Sequence, residues 1–219
     1  MSNAGVDWYA DAVPAAAGCK RLIVVVKKTK PNRNSDTAQR ILDIAERLMQ
    51  VRGYNGFSYA DIAAAMHLTK ASLHYHFASK AELGRQLMAR YTENFLAALA
   101  AIDGNGAKVP EKLRRYVAIY SDVLANNRMC LCGMLAAEYA TLPKPVRSEV
   151  TRFFDANEAW LANVLDHGMR LEYLKLRSPP TETARLMIAT LEGAMMLARS
   201  YGDAARFDRA GQRLLTEII

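Results

Sequence analysis

Proline and glycine are scarce in this chain, seven and twelve in 219 residues, so few positions force the backbone out of a helix. No run approaches the roughly 20 apolar residues that a bilayer-spanning helix needs. The longest aliphatic cluster, Leu22 to Val26, is flanked by Lys20, Arg21, Lys27 and Lys28 and is too short for the apolar part of a secretory signal. A soluble, cytoplasmic protein is therefore expected. Cysteine is sparse as well: Cys19, Cys130 and Cys132 are an odd count that fits reduced thiols and builds no disulfide framework. No alternation of apolar and polar residues marks a strand. A nucleophile elbow, a phosphate loop, paired carboxylates and a metal-ligand cluster are all missing. The sequence thus argues against an enzyme and requires no cofactor or metal.

What is present is an apolar half (51%) in which alanine, leucine and methionine are plentiful. Unbranched side chains lose little rotamer freedom in a helix, so the expected fold class is all-α, with about nine helices. The net charge of +7 is unevenly spread. Residues 1–80 hold eleven lysines and arginines against six acids, whereas residues 81–219 hold eighteen against sixteen. A basic excess in the first third of the chain is the electrostatic footprint of a phosphate-backbone binder. Residues 1–34 read as a basic, flexible N-terminal extension, with a cationic stretch from Lys20 to Arg33 around Pro31.

Past that extension the pattern sharpens. Ser35 or Asp36 can cap a helix whose apolar side is Ala38, Ile41, Leu42, Ala45, Leu48 and Met49, with Gly53 as its stop. Ser58 is a good N-cap for a short second helix, Tyr59 to Met66, with Ile62, Ala63 and Met66 on its buried side. A tight turn at His67-Leu68 leads to Thr69, which caps a third short helix through Tyr75. Ser79 caps a long fourth helix to about Ile102, and Glu82 stands where it would complete a capping box. Two short helices joined by a tight turn have the dimensions of a helix-turn-helix, which sends its second helix into a DNA major groove. That second helix would bury Leu73 and present Lys70, Ala71, Ser72, His74 and Tyr75.

The segment resembles the N-terminal domain of the TetR/AcrR family of bacterial transcription regulators. The resemblance rests on Asp61-Ile62-Ala63, on Leu73 with Tyr75-His76-Phe77, and on Ser79-Lys80 followed by Glu82-Leu83. Ile41, Ala45, Gly53 and Phe57-Ser58 precede them in register. It covers roughly residues 36–85 closely, and the remainder in helix count and length. It implies DNA contacts from Ser58, Tyr59, Thr69, Lys70, Ala71, Ser72, His74, Tyr75, His76 and Lys80. By chemistry, Ser58, Thr69, Tyr75, His76 and Lys80 suit phosphates, and Lys70, Ser72 and His74 suit base edges. Two residues depart from the family pattern. His67 stands where the turn usually has glycine, which implies an altered turn, and His74 stands where tyrosine is most frequent. His74 and His76 point apart on a helix, so they cannot share a metal ion.

The resemblance further implies a helix-turn-helix domain over 35–81 and a helical ligand-binding and dimerisation domain over 82–219. Helices are expected near 109–126, 131–141, 144–174, 181–200 and 207–218, punctuated by Pro143, Pro145 and Pro179-Pro180. A homodimer would use Ala184, Met187, Leu191, Ala194, Met195 and Ala198, with Phe207, Leu214, Leu215 and Ile218 from the last helix. A small-molecule effector would be lined by Tyr116, Tyr120, Cys130, Cys132, Met134, Glu138, Trp160, Asn163, His167 and Met187. The expected function is sequence-specific DNA binding by a repressor, released from a palindromic operator by an inducer through the long fourth helix. The alternative is a thiol sensor of electrophiles or oxidants. Cys130 and Cys132 start a helix beside Arg128, and both settings lower a thiol pKa.

Overall fold

A computed structural model describes residues 33–104 and 106–219. The extension expected over 1–34 therefore lies, except for its last two positions, outside the described residues. Nine α-helices and one 3-10 turn occur among the described residues, with no strand, as the all-α expectation required. The helices are α1 (Arg33–Arg52), α2 (Tyr59–Met66), α3 (Lys70–His76), α4 (Lys80–Gly104), α5 (Val109–Ala125), α6 (Leu131–Ala137), α7 (Lys144–Arg170), α8 (Pro180–Tyr201) and α9 (Ala205–Ile218).

α1 is already helical at Arg33, so Ser35 and Asp36 lie inside its first turn instead of capping it. Its buried face is Ile41, Leu42, Ala45 and Met49. Gly53 stops it with a left-handed φ of +79°, and its N–H donates to the Met49 carbonyl at 2.9 Å. Ser79 caps α4 by accepting the Glu82 N–H at 3.2 Å. The Glu82 carboxylate, however, turns to Arg85 (2.8 Å) and Gln86 (2.7 Å), so the expected capping box is only half made. Arg90 ties α4 to α1 through Asp43 (2.6 Å), Glu46 (2.8 Å) and Gln39 (3.1 Å).

Beyond the N-terminal helices, α4 packs on α7 through Phe95 and Phe153, whose rings lie 4.8 Å apart. α5, α7, α8 and α9 enclose Tyr116, Leu161, Leu191, Met195 and Phe207, all with 1% exposure or less. Burying each such side chain contributes about 1.5–3 kcal/mol. The sixth expected helix is cut to Leu131–Ala137, followed by the 3-10 turn Tyr139–Thr141. α7 ends at Arg170 and not near 174, because Glu172 turns left-handed (φ +56°) and Leu174 folds back onto Gly168. A Cβ at Gly168 would lie 2.6 Å from Leu174 Cδ1, so only glycine leaves room for this closure.

The end of α1 is clamped by residues distant in sequence. Arg199 of α8 donates to the carbonyls of Gln50 (3.1 Å) and Val51 (2.5 Å), and the Met129 N–H reaches Gln50 O at 3.2 Å. Arg128 bonds Gln50 Oε1 at 3.3 Å. The Glu138 carboxylate accepts the Tyr54 N–H at 2.5 Å and the Asn55 N–H at 3.4 Å. α6, the 3-10 turn and α8 thus grip the end of α1, in addition to the contact made through α4.

Candidate nucleic-acid interface

The two short helices are held in place by local hydrogen bonds. Ser58 is extended (φ −135°, ψ 174°), and its Oγ accepts the Ala60 N–H at 3.2 Å. The Asp61 carboxylate accepts the Ser58 N–H at 2.7 Å and the Ser58 hydroxyl at 2.8 Å, closing a capping box. These bonds hold the Asp61 carboxyl below the usual carboxylate range. At the turn, His67 adopts φ 55°, ψ 40°, the left-handed conformation that glycine favours. Histidine here takes a backbone conformation that glycine adopts without cost, and carries its strain. Thr69 Oγ1 then accepts the Ser72 N–H at 3.2 Å and starts α3.

α3 is pinned by Leu73, 1% exposed, and otherwise stands at the surface. Thr69, Lys70, Ala71 and His74 are exposed, Ser72 and His76 are half-buried, and Tyr75 is 75% exposed. His74 Nδ1 lies 3.2 Å from the Ala78 carbonyl, and its ring sits 4.8 Å from that of Tyr59. The carbonyl keeps the proton on Nδ1, which leaves Nε2 as an acceptor in the neutral ring. Ser58, Lys70, His74 and Lys80 line one open cleft of about 330 Å³.

Two of the expected contact residues are engaged within the motif itself. Tyr59 is 9% exposed, and its hydroxyl donates to the Phe77 carbonyl at 2.9 Å. Burial pushes this phenol up to about 12. The Lys80 ammonium donates to the Phe57 carbonyl and sits 4.2 Å over the Phe57 ring and 4.7 Å over the Tyr54 ring. Burial lowers its pKa. Tyr59 braces the motif from within, and the half-buried Lys80 ties the start of α4 to Phe57 while still lining the cleft with Lys70 and His74.

The expected effector residues separate into groups. Tyr116, Tyr120, Cys130, Cys132 and Met187 are buried, and Met134 and Trp160 are half-buried. Asn163 and His167 lie on the exposed side of α7 and line no interior site, and Glu138 is engaged with Tyr54 and Asn55. The tyrosines close a triangle with a residue that sequence reading missed. Tyr116 donates to Asn157 Oδ1 at 2.9 Å, Asn157 Nδ2 donates to the Tyr120 hydroxyl at 3.1 Å, and the two hydroxyls are 3.1 Å apart. The Trp160 ring stacks on Tyr116 at 5.5 Å. Cys130 and Cys132 are 3% and 0% exposed, and Arg128 is turned to Gln50, so neither the accessibility nor the cation expected of a reactive thiol is there. Burial pushes the Cys132 thiol up, whereas hydrogen bonds with Cys132 and Glu192 lower the Cys130 thiol to about 6 although it is buried. A second missed residue is Glu192, an acid on the apolar face of α8, 8% exposed, which burial pushes well above the usual carboxyl range.

The dimer stripe also needs correcting. Ala184, Met187, Leu191, Met195 and Ala198, with Phe207 and Ile218, are buried within the protomer. The apolar face that α8 leaves outside is Leu186 (63% exposed), Met196, Leu197 (60%) and Tyr201 (64%).

Comparison with known proteins agrees with this geometry. Residues 41–87 match the family model for bacterial regulatory proteins of the tetR family, and residues 109–214 match a tetracyclin repressor-like C-terminal domain. A TetR-family transcriptional regulator from Agrobacterium tumefaciens is 35% identical, with a TM-score of 0.82 over 84% of this chain and 98% of that one. A TetR regulator from Legionella pneumophila is 33% identical, with a TM-score of 0.77 over 84% and 97%. The HTH-type transcriptional repressor DhaR of Mycobacterium sp. is 24% identical over 72% of this chain and 80% of its own length. With an exposed, threonine-capped α3 behind an α2 braced in this way, the chain belongs to the TetR family of bacterial transcription regulators.

Proposed function

We propose that this protein is a transcriptional repressor that binds a palindromic operator as a homodimer and leaves it when a small molecule binds among α4–α8. The observation that carries the reading is α3: one buried leucine anchors it, and Lys70, Ala71, His74 and Tyr75 are offered to solvent. Ala71 lets backbone and base edges approach, Lys70 donates to guanine O6 or N7, and His74 Nε2 accepts from an exocyclic amine. Thr69, Ser58 and Tyr75 position the helix on phosphates, while Tyr59 and Lys80 hold the motif through the Phe77 and Phe57 carbonyls. The residue division is 35–81 for DNA and 82–219 for sensing and pairing. Relatives named as repressors, DhaR among them, support the direction of control.

Two copies paired through Leu186, Met196, Leu197 and Tyr201 would present two α3 helices to an inverted repeat. Glu138 and Arg199 would carry a shift of α6 or α8 to the end of α1, and so to the spacing of those helices. Selection of bound DNA from a random pool, followed by gel shift, tests the reading. An inverted repeat with arms about one helical turn apart supports it, and an absence of any enriched sequence overturns it.

A further inference from the structure

Glu192 is the least satisfied polar group of this core, with the Cys130 thiol as the one side chain that shares a hydrogen bond with it. Both of its carboxyl oxygens are buried without a well-formed hydrogen bond. The carboxyl sits against Gly133, where a Cβ would lie 2.2 Å from Oε2, so the glycine of α6 is what leaves room for it. Beside it are the thiols of Cys130 and Cys132, weak donors at best, and the hydroxyls of Tyr91, Tyr116 and Tyr120 are near enough to feel its charge. Tyr116 and Tyr120 are already bonded to each other and to Asn157. Tyr91 takes the Leu131 backbone N–H. Among the described residues, no lysine, arginine or histidine is among the groups acting on Glu192.

A buried acid whose nearest partner is a thiol, and whose two oxygens have no well-formed hydrogen bond, is unusual, because such groups are otherwise paired. Two open acceptors on one planar carboxyl match two N–H bonds on one cation, as in an amidinium or a primary ammonium. From this we infer that Glu192, between α6 and α8, is the anchor for a small organic cation bearing at least two N–H donors on an apolar body. The inference rests on the effector reading above and names the chemical class of that effector. Binding is non-covalent. Burial raises the Glu192 pKa and a paired cation opposes that rise, so binding of a molecule already charged favours release of a carboxyl proton to solvent.

Titration calorimetry of the full chain with benzamidine, benzylamine, benzyl alcohol and benzoate tests this. The two cations are expected to bind at least tenfold more tightly than benzyl alcohol, with benzoate weakest. Comparing two buffers of different ionisation enthalpy should show net proton release on benzamidine binding. Glu192→Gln should weaken benzamidine at least tenfold, and Glu192→Asp, which keeps the charge but shortens the reach, should weaken it less. Benzyl alcohol matching benzamidine on the wild-type chain overturns the inference whether or not the variants fold. So does benzamidine bound by a folded Glu192→Gln chain within threefold of wild type. Gel shift on the selected operator separates the two readings. Operator retained without benzamidine and released with it upholds both. Benzamidine bound through Glu192 with retention unchanged keeps the site and refutes its effector role.

Discussion

Truncating Glu138 isolates the joint between the C-terminal helices and the helix-turn-helix end of α1. Its carboxylate accepts one short hydrogen bond from Tyr54 N–H at 2.5 Å and a longer one from Asn55 N–H at 3.4 Å, across more than eighty residues of chain. A hydrogen bond to a charged group contributes about 1.5–3 kcal/mol, and the long second bond adds little. Glu138→Ala should therefore destabilise the protein by about 2–3 kcal/mol, roughly 4–12 °C in Tm for a chain of this size. Gly53 offers a second probe of the same joint, because a Cβ there would sit 2.8 Å from Glu138 Oε1. Gly53→Ala then suffers twice, from its φ of +79° and from the carboxylate. In a Glu138→Ala background only the backbone strain is left, so the double-variant cycle should show positive coupling of about 1 kcal/mol. Urea unfolding of the four chains measures it. A Glu138→Ala cost below about 0.5 kcal/mol, or strictly additive costs, would refute the joint.

Other outcomes follow from the same geometry. Tyr59→Phe should lose about 1–2 kcal/mol of stability with the bond to Phe77, yet change operator affinity less than threefold, because the hydroxyl faces inward. The same phenol, held at about 12, stays protonated in the fold after the unfolded chain ionises near 10. Its contribution is thus whole below pH 10 and is lost as pH climbs towards 12, a decline that alkaline unfolding of wild type should show and Tyr59→Phe should lack. Glu192 follows the same rule at lower pH. With its folded pKa raised, wild type should lose stability relative to Glu192→Gln as pH rises above about 4.5, read as the Tm difference between pH 5 and 8. His67→Gly removes a side chain from a left-handed turn and should raise stability by up to about 1 kcal/mol in urea unfolding.

The helix-turn-helix was legible because its signals are local. Ser58, Thr69 and Ser79 announce their helices by what a short side-chain oxygen does for a free N–H two or three residues on, and the structure has all three bonds. Helix phase in the sensing half was harder. α8 carries apolar residues on both faces, so Met187, Leu191 and Met195 compete with Leu186, Met196 and Leu197, and composition alone does not say which set faces the core. The same ambiguity on α7 set Asn163 and His167 among interior residues when they lie at the surface. Glu138 to Tyr54 and Arg199 to Gln50 join positions 84 and 149 residues apart, a distance at which no spacing rule operates. Glu192 did leave a trace, as the single acid within the stripe from Ala184 to Ala198 that the core buries, and a rule that asks every apolar stripe for its odd polar member would find it.

Whether α3 reads DNA is decided by its two most prominent exposed side chains. Wild type and a Lys70→Ala/Tyr75→Ala chain should be compared by gel shift on the selected operator, with unfolding of both as a control. Both side chains are exposed, so Tm should agree within about 2 °C, since surface changes of this kind stay within roughly 0.5 kcal/mol. Removing a side chain that touches a base or a phosphate costs about 1–3 kcal/mol, and a dimer bears that cost in both half-sites. Operator affinity should therefore fall at least a hundredfold, with a shallower dependence on salt. A double variant that still picks out the operator within threefold of wild type would contradict a reading role for this helix.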